Sequence, residues 1–295
     1  MKTMKTLCAI AISLSFGAAG APALAAGDST PAKQSVQFQQ IRNATAKISY
    51  AGKTFLLDPL LAKKGAYPGF DGTFRSERRN PLVELPMAAP DVLKGVDAVI
   101  VSHTHLDHRD GGNNNFIPKG IPLFVQHEAD AKIIRGQGFT DVRILGQNTE
   151  FEGVTLTKTG GQHGTDEMYR QTRVAELLGT AMGIVFQAPG AKTVYVAGDT
   201  IWRSEVDQNL AKFKPDVVVL NAGDARLVGY TGSIIMGKDD VLHAAQAVPT
   251  ATIVASHMDA INHTTLSRKE LLEHVQQHGI QDRVRISADG EVLKF

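Results

Sequence analysis

Ala98-Val99-Ile100-Val101-Ser102-His103-Thr104-His105-Leu106-Asp107-His108 is the stretch that decides how this chain is read. Its first four residues form an apolar, largely β-branched run of the kind that becomes a buried strand. Three imidazoles and a carboxylate follow within six residues, a combination that would be costly at the end of a buried strand unless it held an ion. On an extended backbone, side chains two apart point the same way. His103 and His105 can therefore grip one ion, while Asp107 and His108, past the bend, reach a second. Imidazole and carboxylate open to one side suit zinc or another first-row divalent ion used for hydrolysis.

Three later segments also end apolar or glycine-rich runs on ligand-type residues. They are Gly160-Gly161-Gln162-His163-Gly164, Val194-Tyr195-Val196-Ala197-Gly198-Asp199-Thr200 and Val254-Ala255-Ser256-His257. His163 alone reads as a loop residue, and Asp199 alone as a helix N-cap. In this order after His-x-His-x-Asp-His they resemble the ligand series of the metallo-β-lactamase-fold hydrolases. The resemblance covers nearly all of the chain beyond its N-terminal segment. Phe55-Leu56-Leu57-Asp58-Pro59 and the Asp199 segment are most similar to the branch of sugar-lactone-phosphate lactonases and related exported hydrolases.

The resemblance implies an α/β fold, a four-layer αββα sandwich with the metals in a cleft at one edge of two sheets. It implies His103, His105 and His163 at one metal, Asp107, His108 and His257 at the other, and Asp199 as the bridge. The implied cofactors are two divalent ions, zinc first, with manganese or iron as alternatives, and a hydroxide between them as nucleophile. Asp107 and Asp199 thereby count as catalytic as well as metal-binding. His263, just ahead of a helix start, is the candidate to bond substrate or donate a proton. Asp58 is the candidate acceptor for a ligand imidazole's outer N–H.

Composition fits one enzyme-sized domain, because 295 residues with 43% hydrophobic content can bury a large core without division. Lys2 and Lys5, the apolar run from Leu7 to Phe16 and the small residues ending Ala23-Leu24-Ala25 have the layout of a cleaved export signal. The expected organisation is a signal peptide over 1–25, a short linker over 26–34 and the hydrolase domain over 35–295, acting in the periplasm or outside the cell. Cleavage removes two lysines and the one cysteine, leaving 29 basic against 30 acidic residues, a net charge of −1 with neutral histidines. Without a basic surplus the chain is poorly suited to hold a nucleic acid, and without the signal it keeps no membrane anchor. A small molecule is the expected partner, and the sequence assigns no oligomeric state. No metal ligand of the processed chain can be a thiolate.

Period-two patterning from Val36 to Ile41, from Ala46 to Tyr50 and from Thr54 to Leu57 predicts an opening meander. Further strands are expected near 98–101, 123–126, 142–145, 154–158, 183–187, 193–197, 217–221 and 252–255, with helical stretches between. Ser267-Arg268-Lys269-Glu270 is a capping box opening a helix striped by Leu271, Leu272 and Val275 and stopped at Gly279. Residues 60–90, rich in proline and glycine, read as a long loop over the site mouth. Arg75, Arg78, Arg79, Arg226 and Tyr230 are side chains that could hold an anionic substrate, but a charged loop is usually just solvated, and they stay out of the expected catalytic set.

The expected function is an exported binuclear metal-dependent hydrolase that cleaves an ester, lactone, amide or phosphoester bond in a small molecule. The alternatives are a mononuclear-iron sulfur oxidoreductase of the same fold and a non-catalytic metal-binding protein.

Overall fold

Alternation of side chains builds the first strands of the computed structural model, which describes residues 35–110 and 116–295. The proposed signal peptide and the linker lie outside the described residues. In β1 (Gln37–Arg42) and β2 (Thr45–Tyr50) every second residue is inward, so Ala46, Ile48 and Tyr50 are buried while Lys47 and Ser49 are half-buried. β2 turns into β3 (Lys53–Leu57) through Ala51 and Gly52, both at positive φ, the conformation that matches a two-residue hairpin to the strand twist.

The pattern then changes from alternating to continuously apolar, which is what parallel strands covered on both faces require. After α1 (Ala89–Val92), β4 (Ala98–Val101) has all four residues buried. Ala98 and Ile100 face the second sheet, while Val99 and Val101 face the helix side. β5 (Leu123–Val125), α2 (Glu128–Gly136) and β6 (Val142–Ile144) complete this half, with β3 to β6 all parallel.

The second sheet repeats the plan. β7 (Thr149–Phe151), β8 (Val154–Thr159), α3 (Asp166–Tyr169), α4 (Thr172–Leu178), β9 (Gly183–Gln187) and β10 (Val194–Val196) come first, and their strands pair antiparallel. The parallel part follows: α5 (Ser204–Phe213), β11 (Val217–Asn221), α6 (Lys238–Ala247), β12 (Thr252–Ser256), α7 (Arg268–Gln277) and β13 (Val284–Ile286). The last strand, β14 (Val292–Lys294), returns to pair with β1.

Two seven-stranded sheets result among the described residues, ordered β14-β1-β2-β3-β4-β5-β6 and β13-β12-β11-β10-β9-β8-β7. Phe38, Ile48, Phe55, Phe124, Phe186 and Val219 are among the side chains packed between them. A second core joins the outer face of the second sheet to α5, α6 and α7, and a third joins the first sheet to α1 and α2. The layers are thus helix, sheet, sheet, helix, the expected αββα sandwich. Each fully buried valine, leucine or phenylalanine contributes about 1.5–3 kcal/mol relative to exposure, which is why the apolar runs fix the layers. No helix among the described residues is long and apolar enough to cross a membrane.

The helix over 268–277 forms as its capping box predicts. Ser267 Oγ accepts from the Glu270 N–H, and the Glu270 carboxylate accepts from the Ser267 N–H. Residues 60–88 contain no regular helix or strand and are held by buried polar groups. The Arg42 guanidinium donates to the carbonyls of Leu60, Ala62 and Val83. Asn262 fastens the tip: its side chain accepts from Phe70 N–H and Asn80 Nδ2 and donates to Thr73 Oγ1 and the Phe74 carbonyl.

Candidate metal centre

The ends of the central strands converge at one edge of the sandwich, where a parallel α/β arrangement leaves a crevice beyond the carboxyl ends of its strands. β3 delivers Asp58, β4 delivers Ser102 and His103, β10 leads to Asp199, β11 ends on Asn221 and β12 leads to His257. His163 follows β8. The turn after His103 is closed by the N–H groups of His108 and Arg109, which both donate to the His105 carbonyl. That turn swings Asp107 and His108 away from His105.

Two groups of donor atoms result, His103 with His105 and His163, and Asp107 with His108, Asp199 and His257. Within each group the donor atoms lie within 4.8 Å of one another. The Asp199 carboxylate stands between them: its Oδ2 is 3.0 Å from His108 Nε2, 3.5 Å from His163 Nε2, 3.7 Å from His257 Nε2 and 3.9 Å from His103 Nε2. Asp107 Oδ2 is 3.2 Å from His257 Nε2. All seven sequence-predicted ligands thus meet in one place, and all but His105 are buried.

Surrounding groups fix how four of the five rings are turned. His108 Nδ1–H donates to Asp58 Oδ2 at 2.8 Å. Ser102 Oγ–H donates to the same Oδ2 and so presents its lone pair to the His103 Nδ1–H, 3.1 Å away, while the Ser102 N–H donates to Asp58 Oδ1. Asp58 therefore orients one ring from each group, the role expected of it. His163 Nδ1–H donates to the Ile234 carbonyl at 2.7 Å. His105 is reversed: its Nε2–H donates to the Leu177 carbonyl, leaving Nδ1 turned inward, 2.9 Å from His103 Nε2. The outer nitrogens of His103, His105, His108 and His163 are satisfied, while His257 Nδ1 meets no partner among the described residues; the inner nitrogens are aimed at one another, with His108 Nε2 3.1 Å from His257 Nε2. Nitrogen lone pairs so close repel unless a cation or a proton lies between them, and the donor set fits divalent ions.

The charges support that reading. Burial works against a charged His108, but Asp199, Asp58 and Asp107 outweigh it and raise its pKa well above the ordinary imidazole value. Burial likewise opposes the ionised forms of Asp107 and Asp199, yet His108 and His257 hold both well below the usual carboxylate range. Burial, with neighbouring His163, lowers His105 to about 4. In the metal-free protein the cluster thus keeps anionic carboxylates beside a protonated His108, whose proton a divalent ion would replace.

Two turns at the site hold left-handed backbone at non-glycine residues, Asp58 with φ 45° and His257 with φ 59°. Such strain is retained where the surroundings over-determine it. Here the Asp58 N–H donates to the Ile100 carbonyl, and the His257 N–H donates to the Asn43 carbonyl. Asn43 and Asn221 are site residues that sequence reasoning missed. Asn43 Nδ2 donates to the Asp107 carbonyl, and Asn221 Nδ2 donates to Asp199 Oδ1 at 2.6 Å. The available signal for Asn221 is that it ends an apolar strand level with the strand before His257, as a polar residue in a buried setting.

A cavity of about 370 Å³ opens beside the cluster, with His105, Asp107, His163 and His263 in its lining. His263 is 6% exposed, its Nδ1 meets no hydrogen-bond partner among the described residues, and Phe70 packs edge-on against its ring at 5.4 Å. Burial lowers it to about 4, so it is a neutral imidazole at neutral pH. The loop over 60–90 does reach the mouth, contributing Phe70, Asp71 and Thr73. Three of the four arginines weighed as anion contacts are engaged with the protein itself. Arg75 donates to the carbonyls of Asn262 and Thr264, Arg79 to those of Gly65 and Ala66, and Arg226 to Asp224. Trp202 stacks on His243 of α6, outside the cavity lining. Arg109 is buried over the Phe139 ring and donates to Gln137.

Comparison with known proteins agrees with this arrangement. Residues 53–258 match the family model described as the beta-lactamase superfamily domain. The chain is 45% identical over 256 residues to the UPF0173 protein YddR of Bacillus subtilis, covering 87% of this chain and 98% of that one. It is similar to the crystal structure of a possible metal-dependent hydrolase from Veillonella parvula, with 47% identity, a TM-score of 0.86, and coverage of 88% and 99%. It is equally similar to an isothiocyanate hydrolase from Delia radicum gut bacteria, with 49% identity, a TM-score of 0.85 and the same coverage. Fold, ligand cluster and relatives lead to one conclusion: the chain belongs to the metallo-β-lactamase superfamily and is one of its metal-dependent hydrolases.

Proposed function

We propose that this chain is an exported binuclear metallohydrolase that adds water to small organic molecules, and that isothiocyanates are its substrate class. The observation that carries the binuclear reading is the position of Asp199 Oδ2, within 3.0 to 3.9 Å of four imidazole nitrogens drawn from both donor groups. His103, His105 and His163 would hold one ion and Asp107, His108 and His257 the other, with Asp199 shared. The donor set of five imidazoles and two carboxylates, without thiolate, favours zinc and admits manganese or iron. Such ions supply Lewis acidity and a water nucleophile active near neutral pH.

The substrate class is supported by the 49%-identical isothiocyanate hydrolase, which this chain covers almost end to end. Water adds to the electrophilic carbon of R–N=C=S, the C–N bond then breaks, and the products are the amine R–NH2 and carbonyl sulfide; atoms balance with one water consumed. Negative charge develops on the nitrogen or sulfur during the addition. His263, neutral and lining the cavity, offers an N–H donor to that charge. Asp58, Ser102 and the Ile234 carbonyl keep the ligand rings from turning. Export is supported by the basic, apolar and small-residue succession of the first 25 residues.

The test begins with metal content per chain in protein purified from the exported fraction without added metal. Isothiocyanate consumption and amine release then follow, before and after chelation. About two ions per chain, with turnover lost on chelation and regained on readdition, is expected. One ion per chain would sink the binuclear reading. Turnover of lactones or esters without turnover of isothiocyanates would sink the substrate assignment, and accumulation of uncleaved protein in the cytoplasm would sink export.

A further inference from the structure

A second set of metal-type donors stands on the outer helix layer. His274, in the last turn of α7, and His278, its C-cap, are four residues apart and so share one face of the helix. Their ring centroids are 4.3 Å apart, with the planes inclined at 42°. Asp239, in the first turn of α6, brings a carboxylate to the same place, its Oδ1 3.8 Å from His274 Nε2. None of the three lines the cavity at the hydrolytic centre.

The two rings are already set as ligands. His278 Nδ1–H donates to the His274 carbonyl at 2.8 Å, which fixes that ring and, in its neutral form, leaves the lone pair on Nε2. The His274 side chain is 10% exposed, yet its Nε2 is buried and meets no hydrogen-bond partner among the described residues. Such a nitrogen costs free energy unless something binds there. Burial, then the neighbouring His278, lower the His274 pKa below the ordinary imidazole value, so its ring is neutral near pH 7. Lys238 acts against a cation at this place and Asp239 acts for it. The carbonyl end of α7 adds to the attraction, because His278 stands at the negative end of the helix dipole. Donors bonded to one ion at about 2.0–2.1 Å stand roughly 3 to 3.4 Å apart, so the Asp239 carboxylate needs to approach by only about half an ångström. Its side chain is 85% exposed and has room to do so.

We propose that His274, His278 and Asp239 form a further metal site, separate from the hydrolytic centre, that takes an exchangeable first-row divalent ion such as zinc, nickel or copper. Water completes the coordination. Two imidazoles and one carboxylate suit those ions, whereas magnesium and calcium prefer oxygen ligands throughout. Because the ligands come from two helices, the ion clips α6 to α7 over the outer face of the second sheet. Its effect is on stability and not on the hydrolytic chemistry.

Nickel is the probe. The full chain is loaded with zinc, freed of loosely held ions by gel filtration and titrated calorimetrically with Ni2+. The expected result is one Ni2+ per chain bound in addition to the retained zinc, with a rise in melting temperature. His278→Ala, at an exposed position, should weaken this binding at least about tenfold and abolish the rise while retaining as much zinc as the parent. Asp239→Asn should weaken it by a smaller factor, since it removes the charge and keeps an oxygen donor. The difference between parent and variant reads the extra ion whatever number the hydrolytic centre holds, so the site is tested apart from the binuclear reading. Ni2+ binding that persists unchanged in His278→Ala, whether by displacing zinc or elsewhere, would overturn the proposal. So would the absence of binding at about 1 mM Ni2+.

Discussion

Asp58 illustrates how much of this site depends on a residue that touches no ion. Both of its oxygens are committed, one to His108 and Ser102 Oγ, the other to the Ser102 N–H. Asp58→Asn keeps the shape but replaces an acceptor-only group with one that must turn a donor towards His108 or Ser102. Metal affinity should fall about 10–100-fold, read by competition with a chromophoric chelator; unchanged affinity would remove Asp58 from the positioning role. His263 allows a second prediction at this scale. Its folded pKa is about 4 against an ordinary 6.5, so between those values the unfolded chain binds a proton that the folded chain refuses. Its contribution is therefore neutral above pH 6.5 and destabilising as pH falls towards 4, by about 1.4 kcal/mol per unit. His263→Asn should flatten the acid limb of metal-free stability by about 2 kcal/mol at pH 5, measured by urea unfolding. At this scale the ligand types were legible because four of them crowd into six residues and the others close apolar or glycine-rich runs. Ser102, Asn43 and Asn221 were not, because serine and asparagine end strands for many reasons and only the folded register brings Asn221 level with Ser256.

Among the elements, the buried parallel strands were readable because each is a continuous apolar run with both faces covered. The edges were not. β7, β13 and β14 are three-residue strands with at most one fully buried residue each, so they carry no hydrophobic signature and exist because a neighbour offers a free ladder. The loop over 60–90 was legible as irregular from its prolines and glycines, whereas its tether at Asn262 depends on contacts nearly two hundred positions apart. The turn between β10 and Asp199 gives the prediction for this scale. Gly198 has φ 72°, and a Cβ there would stand 2.3 Å from the Met182 carbonyl oxygen, a backbone atom that cannot step aside without moving β9. Gly198→Ala is expected to cost about 2 kcal/mol and to displace the adjacent carboxylate. Calorimetry should show the lower melting temperature, and elemental analysis should show reduced occupancy of the paired site. A variant that melts and loads like the parent would mean that the turn has slack the geometry denies.

For the molecule as a whole, the sandwich and its centre are a single thermodynamic object. The seven ligands come from both sheets, β4 on one and β10 and β12 on the other, and they sit at the edge of the apolar layer that joins them. Periodicity alone left the choice among α/β folds open; the order of the ligand motifs made it, since only a sandwich of two such sheets brings those strand ends together. It follows that an ion bound between the sheets stabilises their packing by its own binding free energy. Ligand at a thousandfold excess over its dissociation constant adds about 4 kcal/mol, which for a domain of this size is a rise of about 10 °C in melting temperature. The gain must also depend on pH. His108 holds a proton in the metal-free protein because three carboxylates raise its pKa, so metal binding releases that proton. Lowering the pH favours the protonated, metal-free state and weakens binding; raising it towards the elevated His108 value removes the competition. Zinc titrations at pH 5.5 and 7.5 should therefore give the larger melting shift at 7.5, with proton release visible when calorimetry is repeated in buffers of different ionisation enthalpy. Equal shifts at both values, with no buffer dependence, would mean that His108 is already neutral before the ion arrives and that the carboxylates around it do not govern loading.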